Sequence, residues 1–261
     1  VKIAYASDLH FEFKTLKLNN VEPADVLILA GDILNVEKLQ RSSLLHKDSH
    51  YRDVLSFFDY VTSNFKHVLM VMGNHEYYGS DIDQALVTLN ELLSYDNFHI
   101  LDGDYLVIDN MLFVGGTLWT DYNNEDPLTL LSSPRIINDY RAIYTNNNKI
   151  RVTVSDILQK HKHFVKWVEN IDKSGYDKNI LITHHSPSFQ TTADHYKHET
   201  VMNGLFSSDL DYLLTNFDYA FFGHQHDPKE PIVNDCMLLN NARGYPFESM
   251  HHDFKLKYIT I

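Results

Sequence analysis

The sequence predicts an α/β protein whose chemistry sits at the C-terminal ends of its strands. Three observations predict it. Apolar runs of about five residues recur, rich in Val, Ile, Leu or Phe, the pattern of strands buried on both faces. Longer stretches with apolar residues three and four apart lie between them, so strands alternate with helices around a mainly parallel core. Five of the runs also end in residues that ligate metals.

The elements follow in chain order. Residues 2–6 (KIAYA) form a strand that ends at Ser7-Asp8-Leu9-His10. Residues 25–30 (DVLILA) end at Gly31-Asp32, and 67–72 (HVLMVM) at Gly73-Asn74-His75-Glu76. Residues 179–183 (NILIT) end at His184-His185, and 218–222 (DYAFF) at Gly223-His224-Gln225-His226. Helices are expected over 51–65, 81–94, 155–171 and 207–216. In 155–171 the stripe is Ile157, Leu158, Phe164, Val165, Trp167, Val168 and Ile171, with Ser155-Asp156 as its start. Strands are also expected at 105–108, 111–115, 236–240 and 254–260. The middle pair, joined around Asp109-Asn110, reads as an antiparallel hairpin. Long irregular stretches remain at 119–150 and 186–206, and loops of that length in a compact domain are usually functional or mobile.

The chain has 261 residues without internal repeats or a Pro/Ser-rich linker, which favours a single domain over 1–261. With 44% apolar residues it can build a large core. Asp and Glu number 35 against 22 Lys and Arg, a net charge of −13. Stable binding to duplex nucleic acid by phosphate neutralisation is therefore not expected. One cysteine, Cys236, cannot form an internal disulfide. No apolar run approaches about 18 residues, so no membrane span or membrane partner is expected. The N-terminus reads as a strand and not a signal sequence, and the expectation is a cytoplasmic protein.

Each ligand pair is commonplace alone: Gly-Asp and Gly-Asn are turn dipeptides, and Asp-x-His after a strand is often a turn with a surface histidine. Together they are not. In open α/β sheets the C-terminal strand ends converge on one crevice. Asp8, His10, Asp32, Asn74, His75, His184, His224 and His226 should meet there.

The ordered set Asp8-x-His10, Gly31-Asp32, Gly73-Asn74-His75-Glu76, His184 and Gly223-His224-x-His226 resembles the calcineurin-like metallophosphoesterase superfamily. GGTLWTD (115–121), INDYRAI (137–143), THHSPS (183–188), SSDLDYLL (207–214) and NARGYPFE (241–248) resemble bacterial and phage members of unassigned substrate. The resemblance implies a four-layer α-β-β-α sandwich and two divalent metal ions, Mn, Fe, Zn or Ni on the mixed donor set. Asp8, His10, Asp32 and His226 would hold the first ion. Asp32, Asn74, His184 and His224 would hold the second, with Asp32 bridging. His184 matches the family ligand better than His185. His75 matches the catalytic histidine, which assists the leaving group while a metal-bridging hydroxide attacks phosphorus in line. Two aspartates, two ions and a hydroxide sum to +1, so a small phosphate ester meets a positive centre inside an acidic chain.

The implied activity is dinuclear metal-dependent phosphoesterase, with phosphodiesters favoured over phosphomonoesters. The alternatives are a non-catalytic metal-binding scaffold of the same fold, or a nuclease acting on short single strands. One departure stands out: where some relatives carry an Asp that pairs with the catalytic histidine, this chain has Asn35. Asn35 could orient His75 as an amide, or Asp139 or Glu76 could substitute; Glu76 otherwise reads as structural. Arg141 and Arg243 are the candidate cations for the substrate, and His185 a candidate contact. Tyr77, Tyr78 and Trp119 are candidates for stacking on a base, although aromatics are more often core. His161, His163, His195 and His198 read as surface residues.

Overall fold

The structure, a computed structural model, describes residues 1–18, 21–45, 48–248 and 253–261. The chain opens with β1 (Lys2–Ala6), β2 (Val26–Ala30), helices α1 (Val36–Leu44) and α2 (Ser49–Asn64), then β3 (His67–Val71). After α3 (Ala85–Leu92) come β4 (Phe98–Ile100), β5 (Asp104–Ile108) and β6 (Met111–Gly116). An irregular excursion holds α4 (Tyr122–Glu125), α5 (Pro127–Ile136), α6 (Asp139–Ala142) and the short ribbon β7 (Tyr144–Thr145) with β8 (Ile150–Arg151). The last third comprises α7 (Val154–Asn170), β9 (Lys178–Thr183), α8 (Thr200–Asn203), α9 (Asp211–Leu214), β10 (Tyr219–Phe222), β11 (Ile232–Val233), β12 (Cys236–Asn240) and β13 (Lys257–Thr260).

Two sheets result. The first has the order β13-β1-β2-β3-β4 and is parallel except for β13. The second has the order β11-β12-β10-β9-β6-β5, with a parallel centre and antiparallel strands at both edges. Side chains on a strand alternate between faces, and here both faces are apolar. Ile3, Tyr5, Ile28 and Val71 of the first sheet pack against Phe113, Ile182 and Phe221 of the second. The opposite face of the first sheet, through Ala4, Leu27 and Met70, meets Leu39, Phe58 and Leu89 of α1, α2 and α3. The outer face of the second, through Leu112, Leu181 and Phe222, meets Phe164 and Val168 of α7 and Leu213 of α9. These three apolar interfaces make four layers, α-β-β-α, as expected. Among the described residues no helix is long and apolar enough to cross a membrane.

The hairpin β5–β6 turns on Asp109 and Asn110, with φ of 48° and 60°, the left-handed pair that suits the strand twist. Several elements differ from the sequence reading. Helix α1 was not among the expected elements; Asn35 caps it by accepting from Lys38 N at 2.7 Å. The helix expected over 207–216 shrinks to Asp211–Leu214, because Ser207 and Ser208 lie extended against Ser186. The stretch 119–150 is not structureless, and its α4 is a left-handed turn with positive φ at all four residues. His161 is buried on α7 and lies 3.1 Å from the Leu118 carbonyl, where a surface position was expected.

The N-cap of α7 is Thr153, two residues before the expected start at Ser155. Thr153 and Asp156 cap each other's backbone in a reciprocal box. Thr153→Ala removes one arm of it and is expected to destabilise the protein by about 1 kcal/mol, measured by denaturant unfolding.

Candidate active site

The parallel arrangement delivers five strand ends to one edge of the sandwich. Backbone hydrogen bonds tie them together: Asp8 N to Gly31 O at 2.9 Å, His10 N to Asp32 O at 3.0 Å, and Gly223 N to His184 O at 2.9 Å. The backbone is left-handed at Asp8, His10, Asp32 and His224, with φ of 51°, 49°, 54° and 64°. L-residues adopt that conformation at a cost of about 1–2 kcal/mol each. Gly31 (φ 83°) and Gly73 leave room for the donors: a Cβ on the first would overlap His184 and on the second Asp32.

Glu76 holds the loops in register. Its buried carboxylate accepts from Asp32 N (2.9 Å), Ile33 N (2.7 Å), Leu34 N (3.0 Å) and Gly73 N (2.6 Å). Burial and the Asp32 charge push its pKa up to about 7, against the pull of these N–H donors. Asp32 in turn accepts from His75 N at 2.8 Å.

The candidate ligands come together in three overlapping groups: Asp8, His10 and His226; Asp32, His184 and His224; and His10, Asp32 and His75. Asp32 turns its two oxygens different ways, Oδ1 to His184 Nε2 at 3.3 Å and Oδ2 to His10 Nε2 at 4.0 Å. His226 Nε2 lies 3.4 Å from Asp8 Oδ1 and 3.3 Å from His10 Nε2. Asn74 Nδ2 donates to Asp139 Oδ1 at 2.8 Å, leaving its Oδ1 to face His184 Nε2 at 3.1 Å.

The outer nitrogens are also placed. His226 Nδ1 meets Glu248 Oε2 at 2.7 Å, His10 Nδ1 meets Glu12 Oε1 at 3.1 Å, and His184 Nδ1 meets the Ala30 carbonyl at 2.9 Å. A histidine that ligates a metal typically donates its other N–H in this way. Burial disfavours charge on His184 and His226, but Asp32 raises the first to about 9, and Asp8 with Glu248 raises the second to about 10. His224 is held well below the ordinary histidine value by burial and by its imidazole neighbours His185 and His184.

His75 is partnered by a residue that sequence reasoning missed. Glu12 Oε1 lies 2.7 Å from His75 Nδ1 as well as 3.1 Å from His10 Nδ1. Burial would raise the Glu12 pKa, but the two imidazoles bring it down to about 2. Asn35, Asp139 and Glu76 do not bond the His75 ring. Asn35 Nδ2 donates to the carbonyls of His75 and Tyr78, Asp139 accepts from Asn74 and Tyr78, and Glu76 holds backbone. The signal for Glu12 was its place two residues beyond His10. The pairing of Glu248 with His226 spans 22 residues and had no local signal.

The other candidate contacts each have partners within the chain. Arg141 is exposed on α6 and donates to Asn138 Oδ1 and the Arg135 carbonyl. Arg243 is buried and donates to the carbonyls of Leu9 and Lys14, bracing the loop after β1. His185 is buried, its ring packed against His224 at 4.2 Å and Trp119 at 5.4 Å, behind a candidate ligand. Tyr77 and Trp119 are core residues, and the Tyr78 hydroxyl is bonded to Asp139.

A family model described as calcineurin-like phosphoesterase matches residues 1–228. An uncharacterised protein of Acanthamoeba polyphaga mimivirus is 26% identical, over 94% of this chain and 92% of its own. Among solved structures, a phosphopantetheinyl hydrolase from Mycobacterium tuberculosis superposes with a TM-score of 0.71 at 16% identity, covering 99% of this chain and 95% of that one.

Glu76→Ala strips four buried N–H groups of their acceptor. Unfolding in denaturant is expected to show a loss of about 3 kcal/mol or more; a loss below 1 kcal/mol would remove Glu76 from the centre of the site.

Proposed function

The chain belongs to the calcineurin-like phosphoesterase family, and on that premise we propose that it hydrolyses a phosphate ester, a phosphodiester in preference, at a centre of two divalent ions. One observation carries the proposal. His10 Nε2 and His226 Nε2 face each other at 3.3 Å while each Nδ1 is bonded to a carboxylate. With the proton on Nδ1, both lone pairs point into the same space, an arrangement that suits a shared cation.

The donors fit the pair of ions. Asp8, His10, Asp32 and His226 would hold the first, and Asp32, Asn74, His184 and His224 the second. Asp32 suits the bridging position because its oxygens face different histidines. Imidazole, carboxylate and amide donors suit Mn, Fe, Zn or Ni, and manganese is our first choice. Such a pair supplies a nucleophile from water at neutral pH and polarises the phosphoryl oxygens.

The chain's own residues do the rest. Glu12 fixes the His75 ring so that Nε2 lies near the Tyr245 hydroxyl, at 3.3 Å. From there His75 donates a proton to the leaving oxygen or a hydrogen bond to the phosphoryl group. Asp139 keeps the Asn74 amide oriented with its oxygen inward. The diester preference rests on charge. A monoester brings an extra negative charge, and the candidate cations Arg141 and Arg243 already donate to backbone carbonyls. The net charge of −13 weighs against long polyanions, leaving small diesters or short single strands.

The test pairs metal analysis with a panel of esters: an aryl monoester, an aryl diester, a cyclic nucleotide, a dinucleotide and a phosphopantetheinyl ester. Wild type is expected to carry about two transition ions per chain and to cleave the aryl diester fastest. Asp32→Ala should lose both ions and the activity; intact hydrolysis in that variant would sink the mechanism. His75→Ala should keep the ions and lose about 100-fold or more in kcat. Glu12→Gln should lower kcat by about tenfold, with the larger loss on esters of poorly acidic alcohols, whose departure depends most on a proton from His75.

A further inference from the structure

We propose that Phe13, Tyr245 and Phe247 form a subsite for an aromatic ring on the leaving alcohol, so that the enzyme prefers esters carrying such a ring. The inference rests on the phosphoesterase reading and adds a class of substrate to it.

The rings of His10, Tyr245 and Phe247 form a near-parallel series. Tyr245 lies over His10 at 4.5 Å and 26°, and over Phe247 at 5.5 Å and 24°. Phe13 meets the edge of Tyr245 at 5.7 Å and 83°. The series begins at a candidate metal ligand and ends in solvent: Tyr245 is half-buried, Phe13 is 57% exposed and Phe247 is 84% exposed. Phe13 and Phe247 therefore add little to the core and leave ring surface open beside the site.

The position relative to the chemistry selects the occupant. His75 Nε2, the nitrogen that faces the leaving oxygen in the proposed reaction, is 3.3 Å from Tyr245 Oη. An alcohol taking a proton there has its substituent against Tyr245, with Phe13 and Phe247 beyond. The loop is tied to the site, since Glu248 Oε2 accepts from Tyr245 N at 2.8 Å and meets His226 Nδ1 at 2.7 Å. Rings pack on rings by offset stacking or edge contact, and aromatic platforms accept bases of any identity. Tyr77 and Trp119, 3% and 4% exposed, offer no such surface.

The test compares benzyl methyl phosphate with cyclohexylmethyl methyl phosphate, whose alcohols are close in size and acidity and differ in aromaticity. Wild type is expected to favour the benzyl ester about tenfold in kcat/KM, through KM. In Phe247→Ala and Phe13→Ala that ratio should fall toward one, and Phe247→Trp should restore it. Leu131→Ala, on the exposed face of α5, should leave it unchanged. The ratio is also read as dissociation constants by calorimetry on the metal-loaded His75→Ala protein, so the subsite is tested even if turnover is absent. Equal binding of the two esters, or a ratio that survives the Phe13→Ala/Phe247→Ala double variant, overturns the subsite. So does a flat ratio combined with a dimer that Phe247→Ala dissociates, which would make the rings an interface between copies. If wild type cleaves no ester of the panel, the phosphoesterase reading fails, and the calorimetric ratio still decides the subsite by itself.

Discussion

The site depends on one buried carboxylate and the N–H groups it gathers. Glu76 lies where the loops after β2 and β3 run side by side, and it accepts from three consecutive residues of one and from Gly73 of the other. Adjacent parallel strands bring their C-terminal ends about 4.8 Å apart, close enough for one side chain to span both. The left-handed turn at Asp32 and the close pass of Gly73 are stabilised by those bonds. The placement of Asp32, Asn74 and His75 follows. Glutamate suits the task because its side chain reaches across to the neighbouring loop.

Around that clamp the acidic character of the chain becomes intelligible. Glu12, Glu248 and Asp139 do not face the centre as ligands. They stand behind imidazoles and an amide, and their hydrogen bonds determine which atom points inward. A histidine whose Nδ1 proton is held by a carboxylate offers Nε2 as a more basic donor. Much of the buried negative charge near the site is thus spent on orientation. Of the two candidate arginines, Arg243 is buried and bonded to the carbonyls of Leu9 and Lys14, and exposed Arg141 is bonded to Asn138 and Arg135.

The layers and the site were legible in the sequence to different depths. Strand runs such as VLILA and HVLMV, buried on both faces, announced a parallel core, and the residues that end them announced the crevice. That information is local, since a strand's C-terminal residue lands at the C-terminal edge whichever strand lies beside it. The orienting shell was not legible. Glu248 meets His226, and Asp139 meets Asn74, through loops whose paths depend on tertiary packing. The same limit explains Arg243, whose guanidinium is buried and bonded to the loop after β1, and His161, whose polar helix face is covered by the excursion after β6. Helix α1 was hidden for another reason: with Val36, Leu39 and Ser42 as its buried residues, its apolar stripe is too thin to stand out.

The left-handed backbone at Asp8, His10, Asp32 and His224 carries a consequence beyond the reaction. Four residues held in a disfavoured conformation are a debt carried by the fold, and ions bound between their side chains would settle it. A ligand that binds only the native chain adds folding free energy in proportion to the logarithm of its concentration. With the proposed ions in place, the lifetime of the folded chain would track metal supply, because their loss would expose it to proteases. Abundance of the folded chain would become a slow record of the ions available, kept by the same backbone angles that shape the site.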